Sequence, residues 1–142
     1  RMIRRADLVL TVGPGLRDWM AARYGIAAPR LLRNCREWQP ACRDPRLRAA
    51  CALGAEDHLV LSANSIVPDA GIEQLIEALA LLPPAVHLAL LGPVRNVAYR
   101  ATLEDLAARR GVDGRLHFPA PCAADEVVGM FAGADVGVIA LQ

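Results

Sequence analysis

The stretch His58–Pro93, HLVLSANSIVPDAGIEQLIEALALLPPAVHLALLGP, decides the fold. It opens on HLVLSA (58–63), an apolar run with the length of a buried strand rather than a helix. From Gly71 to Leu82, the side chains of Ile72, Leu75, Ile76 and Leu79 recur at helical spacing and form one apolar stripe. Pro83-Pro84 ends that helix, because proline lacks an N–H and clashes with the preceding turn. Val86–Leu91 is a second buried-strand run, stopped by Gly92-Pro93. A strand, a crossover helix and a strand form the unit from which parallel sheets are built.

The same alternation continues downstream. Val97–Arg110 reads as a helix with Tyr99, Leu103 and Leu106 on one face, while Arg100/Glu104 and Asp105/Arg109 make i,i+4 pairs on the exposed side. Arg115–Phe118 is a short strand, Asp125 caps a helix carrying Val127, Val128 and Phe131, and Asp135–Ala140 is a further strand. Four strands separated by three helices predict half or more of a doubly wound, Rossmann-like parallel sheet, an α/β fold.

Upstream, Asp7–Val12 (DLVLTV) reads as a buried strand closed by Gly13-Pro14-Gly15. Leu16, Trp19, Met20 and Tyr24 follow at helical spacing, with Gly25 as the stop. Arg30–Arg33 is a second short strand ending at Asn34-Cys35, and a linker of about Arg36 to Arg43 holds Trp38 and Pro40. Asp44-Pro45 then caps a short helix ended by Gly54. The expected organisation is therefore the tail of one domain over residues 1–43 and the first part of another over 44–142. The opening Arg-Met-Ile-Arg-Arg, with an internal Met2, reads as a cut from a longer protein.

Composition narrows the function classes. A chain of 142 residues, 54% apolar and 22% charged, builds one core of ordinary size and is neither disordered nor a coiled coil. Twenty-six alanines against six aromatics favour helices packed closely on a sheet over an aromatic-rich sandwich. No uncharged run is long enough to cross a bilayer without meeting Pro83-Pro84, and no secretory signal opens the chain, so a cytoplasmic protein is expected. All sixteen basic residues are arginines. Eleven of them, against four acids, fall in residues 1–50, and five against eleven acids fall in 51–142. The basic part suits phosphates or an anionic membrane surface; alternatively, the two parts face each other across a cleft and partly neutralise. Without interleaved aromatics, the arginines make a poor nucleic-acid signature.

Cys35, Cys42, Cys51 and Cys122 follow no C-x-x-C spacing, so they read as reduced thiols rather than zinc ligands, with Cys51 on the apolar face of its helix. His87 lies inside an apolar run and reads as a core or edge residue rather than a ligand. Neither serine, Ser62 nor Ser65, sits in a G-x-S-x-G elbow. Gly13-Pro14-Gly15 has the place of a dinucleotide fingerprint. However, Asp18 stands at its third glycine and no ribose-binding acid follows the next strand, so it reads as a hinge and helix start.

In doubly wound sheets ligands bind beyond the carboxyl ends of the strands, where strand order reverses. The loop Asn64–Gly71 and the terminal Ala140-Leu141-Gln142 are expected to flank that crevice. Gly71 opens a helix whose free N–H groups and dipole suit a phosphate, although Pro68-Asp69-Ala70-Gly71 reads equally well as a turn with a cap.

These residues resemble a family. ADLVLTVGPGLRDWMAARYG followed by a short strand ending in Arg33-Asn34 looks like the end of the N-terminal domain of GT-B glycosyltransferases. The segments HLVLSANSIVPDAGIEQLIEALALLPPAVHLALLGP, RATLEDLAARRGVDGRLHFPAP and ADEVVGMFAGADVGVIALQ look like the start of its C-terminal nucleotide-binding domain. The chain is most similar to family 4 (group 1) enzymes. The resemblance implies retaining transfer of a sugar from a UDP-, GDP- or ADP-sugar to a glycan or lipid-linked acceptor, in a cleft between two domains. It implies no cofactor, no essential metal and no nucleic-acid partner.

By the same resemblance, Asn64 and Ser65 fall in the donor loop and Gly71 opens its helix. Gly92 follows the second strand, Pro119–Cys122 (with Pro121) form the base-side loop, and Asn34 stands near the interdomain hinge. Two positions depart from the family. Ser65 stands where the family commonly has an Arg or Gly-Ser, and Ala70 where it has a Lys or Arg; a lost charge-assisted phosphate contact costs about 1.5–3 kcal/mol. The family's glutamate pair would lie beyond Gln142, so the fragment itself is expected to be inactive. The parent reads as an active enzyme, its basic part against a membrane surface, or as a degenerate homologue that binds or scaffolds. An unrelated doubly wound binding domain is a more distant alternative. Apolar surface left by truncation is expected to favour self-association.

Overall fold

The computed structural model describes residues 2–35, 38, 40, 42–123 and 125–140. Of the sequence expectations, linker residues Arg36, Glu37, Gln39 and Ala41 and crevice residues Leu141 and Gln142 lie outside the described residues. The chain divides into two compact units, Arg1–Gln39 and Pro40–Gln142.

In the first unit, β1 (Leu10–Thr11) pairs in parallel with β2 (Arg30–Leu31), joined by α1 (Pro14–Tyr24). Both strands are shorter than their apolar runs, since each has one neighbour and only two residues find a ladder partner. Proline at the first turn starts α1, and Gly25 ends it in the left-handed region at φ +59°. Two strands cannot bury the helix stripe: Leu16 and Trp19 remain 45% and 54% exposed.

The second unit holds a parallel sheet in the order β5-β4-β3-β6, formed by β3 (His58–Ala63), β4 (Val86–Leu91), β5 (Leu116–His117) and β6 (Val136–Gly137). The two central strands pair over their full length, His58 opposite Val86 through Ala63 opposite Leu91. The edge strands keep two residues each because they have one partner; backbone bonds Asp135 to Leu59 (2.9 Å) and Val138 to Leu61 (2.8 Å) extend β6 slightly.

Helices cover both faces. On one, α3 (Ile72–Leu79) and α4 (Val97–Arg110) bury Ile72, Ile76, Leu79 and Leu103 against Leu88, Leu90 and Ile66. On the other, α2 (Arg46–Ala50) and α5 (Val127–Ala132) bury Leu47, Cys51 and Met130 against Leu59, Leu61, Ala89 and Leu91. Each fully buried aliphatic side chain contributes about 1.5–3 kcal/mol. Burial at Cys51 raises its thiol pKa to about 11.

Two capping expectations are corrected. The short helix α2 stops at Cys51, not Gly54: the amides of Ala52 and Leu53 donate to the carbonyls of Ala49 (3.0 Å) and Arg48 (3.1 Å). These bonds force Ala52 to φ +52°, a left-handed conformation that glycine adopts without penalty. Ala52→Gly is therefore expected to stabilise the chain by about 1 kcal/mol, read as a higher urea midpoint at unchanged slope. At α5, Glu126 rather than Asp125 flanks the helix; its carboxylate accepts from the Ala123 amide (3.1 Å) and pairs with Arg46 (2.7 Å).

The charge imbalance of the sequence resolves partly inside this unit. Arg46 also pairs with Asp44 (2.6 Å), while Arg43 and Arg48 both meet Asp135, at 3.4 and 3.1 Å. Three arginines of the basic stretch are thus matched by acids of the sheet and α5 side. Asp135 Oδ2 additionally accepts from the Leu59 amide (2.8 Å), which holds its carboxyl below the usual carboxylate range. His87, expected at a core or edge position, sits half-buried on the central strand β4: its Nδ1 lies 2.9 Å from His117 Nε2 on the neighbouring strand, with the rings stacked at 5.2 Å. Burial first and His87 second hold the His117 pKa below the ordinary imidazole range.

Candidate functional site

Because all four strands are parallel, the loops leaving β3, β4 and β5 emerge at one edge. There they line a cavity of about 340 Å³. Asn64 and Ser65 come from the first loop, Gly92 and Pro93 from the second, Pro121 and Cys122 from the third. The floor is Ala63 and Leu91, and Val127 and Phe131 of α5 form the wall. Four of the five residues singled out in the sequence, Asn64, Ser65, Gly92 and Pro121, therefore share one cavity. A second cavity of about 230 Å³ shares Gly92 and Pro121 and extends to Phe118, over whose ring Arg100 lies 4.5 Å from the centroid.

The loops are held to each other by backbone. Ile66 and Val94 form an isolated parallel bridge, and the Ile66 amide donates to the Pro93 carbonyl at 3.1 Å. Asn64 passes so close to Gly92 that a Cβ there would overlap the Asn64 carbonyl oxygen and lie 2.8 Å from its carbon. Glycine at 92 is thus required first by the neighbouring loop, which brings the cavity walls together.

Gly71 stands apart from this cavity. It is the N-cap of α3 at φ +70°, and a Cβ on it would come within 2.6 Å of the Ala140 Cβ. Loop and terminal strand therefore meet here, as the expected strand order requires. The start of α3 is acidic: Glu73 occupies its first turn and accepts the Tyr99 hydroxyl at 2.8 Å. The Tyr99 hydroxyl pKa is raised by burial first, then by Glu73 and Asp69. Asp69 precedes the helix at φ +64°.

What the cavity offers is shape, backbone and neutral polar groups. Asn64 and Ser65 provide an amide and a hydroxyl, and among the described residues no side chain lining it carries a charge. No group of three or more metal-ligating side chains occurs among the described residues. Residues 44–142 match the family model of glycosyl transferases group 1.

The chain belongs to that glycosyltransferase family. Its fold is also that of solved GT-B structures. Sucrose-phosphate synthase from Thermosynechococcus elongatus superposes with a TM-score of 0.77 at 22% identity, over 97% of this chain and 36% of that one. HepE of Anabaena, solved with UDP and glucose, gives 0.76 at 21% identity, over 99% and 40%. WaaG, a glycosyltransferase involved in lipopolysaccharide biosynthesis, gives 0.65 at 19%, over 94% and 38%. The chain thus spans well under half the length of these glycosyltransferases. No curated protein matches it.

Sequence reasoning missed the wall from α5, because Phe131 reads as an ordinary core residue, yet it is 44% exposed. It also missed Pro93 and the Arg100–Phe118 stack, which arise from loop convergence rather than from any local pattern. Asn34, the expected hinge residue, lies in the first unit as an exposed residue after β2.

Proposed function

We propose that this chain is a fragment of a retaining glycosyltransferase, the end of its acceptor-side domain followed by the first part of its donor-binding domain, and that the parent moves a sugar from a UDP-, GDP- or ADP-sugar to a glycan or lipid-linked acceptor. The observation that carries the donor reading is the cavity at the carboxyl edge, where Asn64, Ser65, Gly92 and Pro121 converge. Such an edge is where open α/β sheets bind nucleotides. HepE, solved with UDP-glucose, gives the nucleotide-sugar reading its support. Retention and the acceptor class are carried by the family resemblance alone, and WaaG lends weight to a lipid-linked glycan.

On this reading the chain binds donor without turning it over: among the described residues, the cavity walls hold no acid or histidine that would take or give a proton. A cytoplasmic location is in keeping with Cys35 and Cys42, which are exposed free thiols. No helix among the described residues is long and apolar enough to cross a membrane. Equilibrium dialysis against labelled UDP-, GDP- and ADP-glucose tests the reading: one is expected to be retained intact, and retention of none would contradict it. The second reading, a degenerate homologue that scaffolds, is favoured by Ala70 and by the acids Asp69 and Glu73 at the start of α3.

A further inference from the structure

We infer that the His87–His117 pair is a pH-sensitive latch that fastens the edge strand β5, and with it the Phe118–Cys122 loop, to β4. The contacts that make the latch are independent of what fills the cavity. β5 has a single neighbour and only two residues in its ladder, Leu116 opposite Leu88 and His117 opposite Ala89. Beyond it, the loop delivers Pro121 and Cys122 to the cavity wall. A strand paired over so short a length depends on side-chain contacts across the pair, and here His87 Nδ1 meets His117 Nε2 at 2.9 Å.

The pair has room for one added proton and not for two. On the far side of His87, Nε2 lies 3.8 Å from Asp57 Oδ1, and that carboxylate is itself held by the Gly54 amide at 2.7 Å. Asp57 favours an N–H at His87 Nε2, so in the neutral pair His87 Nδ1 accepts from the Nε2–H of His117. One added proton gives His87 an N–H on both nitrogens, beside Asp57, and leaves His117 Nε2 as the acceptor with its own proton on Nδ1. A second would set two N–H groups and two like charges against each other at 2.9 Å, where no hydrogen bond can form.

The surroundings of His117 oppose that second charge. Arg100, Glu104 and Asp113 line a cavity of about 290 Å³ beside it; Arg100 and Glu104 pair with each other at 2.8 Å, which leaves Asp113 as the acid facing it among the described residues. Arg115, two residues earlier, is engaged with the carbonyls of Leu79, Leu82, Pro83 and Val86. From α2 come the apolar Ala50, the neutral Cys51 thiol, and Arg48, which pairs with Asp135 (3.1 Å) and donates to the Asp57 carbonyl (2.6 Å). Burial first and His87 second keep the His117 pKa below the ordinary imidazole range. Protons therefore bind the unfolded chain more readily. The contribution of the pair is present above the ordinary imidazole pKa and is lost as pH falls through the folded value.

Heteronuclear NMR of the whole chain from about pH 8 to about pH 5, with hydrogen exchange read on the same samples, tests this. The amides of Leu116, His117, Phe118 and Cys122 are expected to move in one step with the His117 ring. Across that step the protection of β5 should fall about tenfold or more, while β3 keeps its own. His117→Gln, whose side chain stays neutral, should abolish the step. His87→Gln should let His117 titrate nearer the ordinary imidazole range without loosening β5, and His58→Gln, at the exposed start of β3, should change nothing. Titration of His117 with β5 protection unchanged overturns the inference, as does a step that survives in His117→Gln. Loss of protection throughout the chain at the same pH is general acid unfolding and also overturns it. If His117→Gln does not fold, His87→Gln decides: β5 that still loosens at the wild-type pH overturns the latch.

Discussion

Gly92→Ala is expected to lower stability by about 3 kcal/mol or more, the upper range for forcing a methyl into a packed site. The reason is backbone, not side chain. The new Cβ would overlap the Asn64 carbonyl oxygen and lie 2.8 Å from the carbonyl carbon. The strand end cannot swing aside cheaply, because the Ile66 amide bonds to Pro93 (3.1 Å) and Val94 pairs with Ile66. Either the loops separate and the cavity opens, or the ends of β3 and β4 unpair. Urea denaturation against wild type measures the loss. Gly114→Ala, where an added Cβ meets nothing within 4 Å, is the matched control and should stay within about 0.5 kcal/mol. A Gly92→Ala chain as stable as that control would contradict the described contact of the two loops.

Arg115→Ala carries the second large effect. The Arg115 guanidinium donates to four backbone carbonyls: Leu79 (3.1 Å), Leu82 (3.3 Å), Pro83 (3.0 Å) and Val86 (3.1 Å). These carbonyls lie where α3 ends and the chain turns through Pro83-Pro84 into the first residue of β4. Pro83 and Pro84 supply no amide, so local backbone meets only two of the four: the Leu82 amide donates to Leu79 (3.2 Å) and the Val86 amide to Pro83 (2.9 Å). Two of the carbonyls are part-buried and two exposed, so the loss is expected to be about 3 kcal/mol rather than the sum of four charge-assisted bonds. Arg115→Lys should recover less than half of it, since one ammonium cannot reach four acceptors in this plane. Thermal unfolding of the two variants checks both figures; a silent Arg115→Ala would mean that water replaces the guanidinium.

The central part of the fold was legible because its elements are long and strongly patterned. His58–Ala63, Val86–Leu91 and Val97–Arg110 run from the first to the last residue expected. Their parallel pairing and the neighbouring of the first and fourth strands also follow the expected order. The edge elements came out shorter, and the buried strand expected over Asp7–Val12 is not buried: Leu8, Leu10 and Val12 are 56%, 47% and 58% exposed, because an apolar run does not show whether a neighbour exists to pair with it and cover it. Ala52 could not be foreseen at positive φ, because an alanine gives no sign of a left-handed turn and Gly54 nearby gives a false one.

The candidate site was legible to the extent that it is topological. Asn64, Ser65, Gly92 and Pro121 follow three parallel strands, so any such sheet would gather them at one edge. The acids at the start of α3 were visible as residues but not as a charge acting on that helix end, which required Glu73 to be placed on Tyr99. Arg115 gave no signal at all: its partners lie 29 to 36 residues earlier, and an arginine before a short strand is unremarkable.

The cavity's role as a nucleotide site is tested most directly by following the backbone amides of the chain in a heteronuclear NMR titration with UDP, GDP and ADP. One nucleotide is expected to shift the amides of Asn64, Ser65, Gly92 and Cys122 together, leaving those of α1 in place. Shifts confined to α1 and the strands of the first unit, or none with any of the three nucleotides, would contradict it.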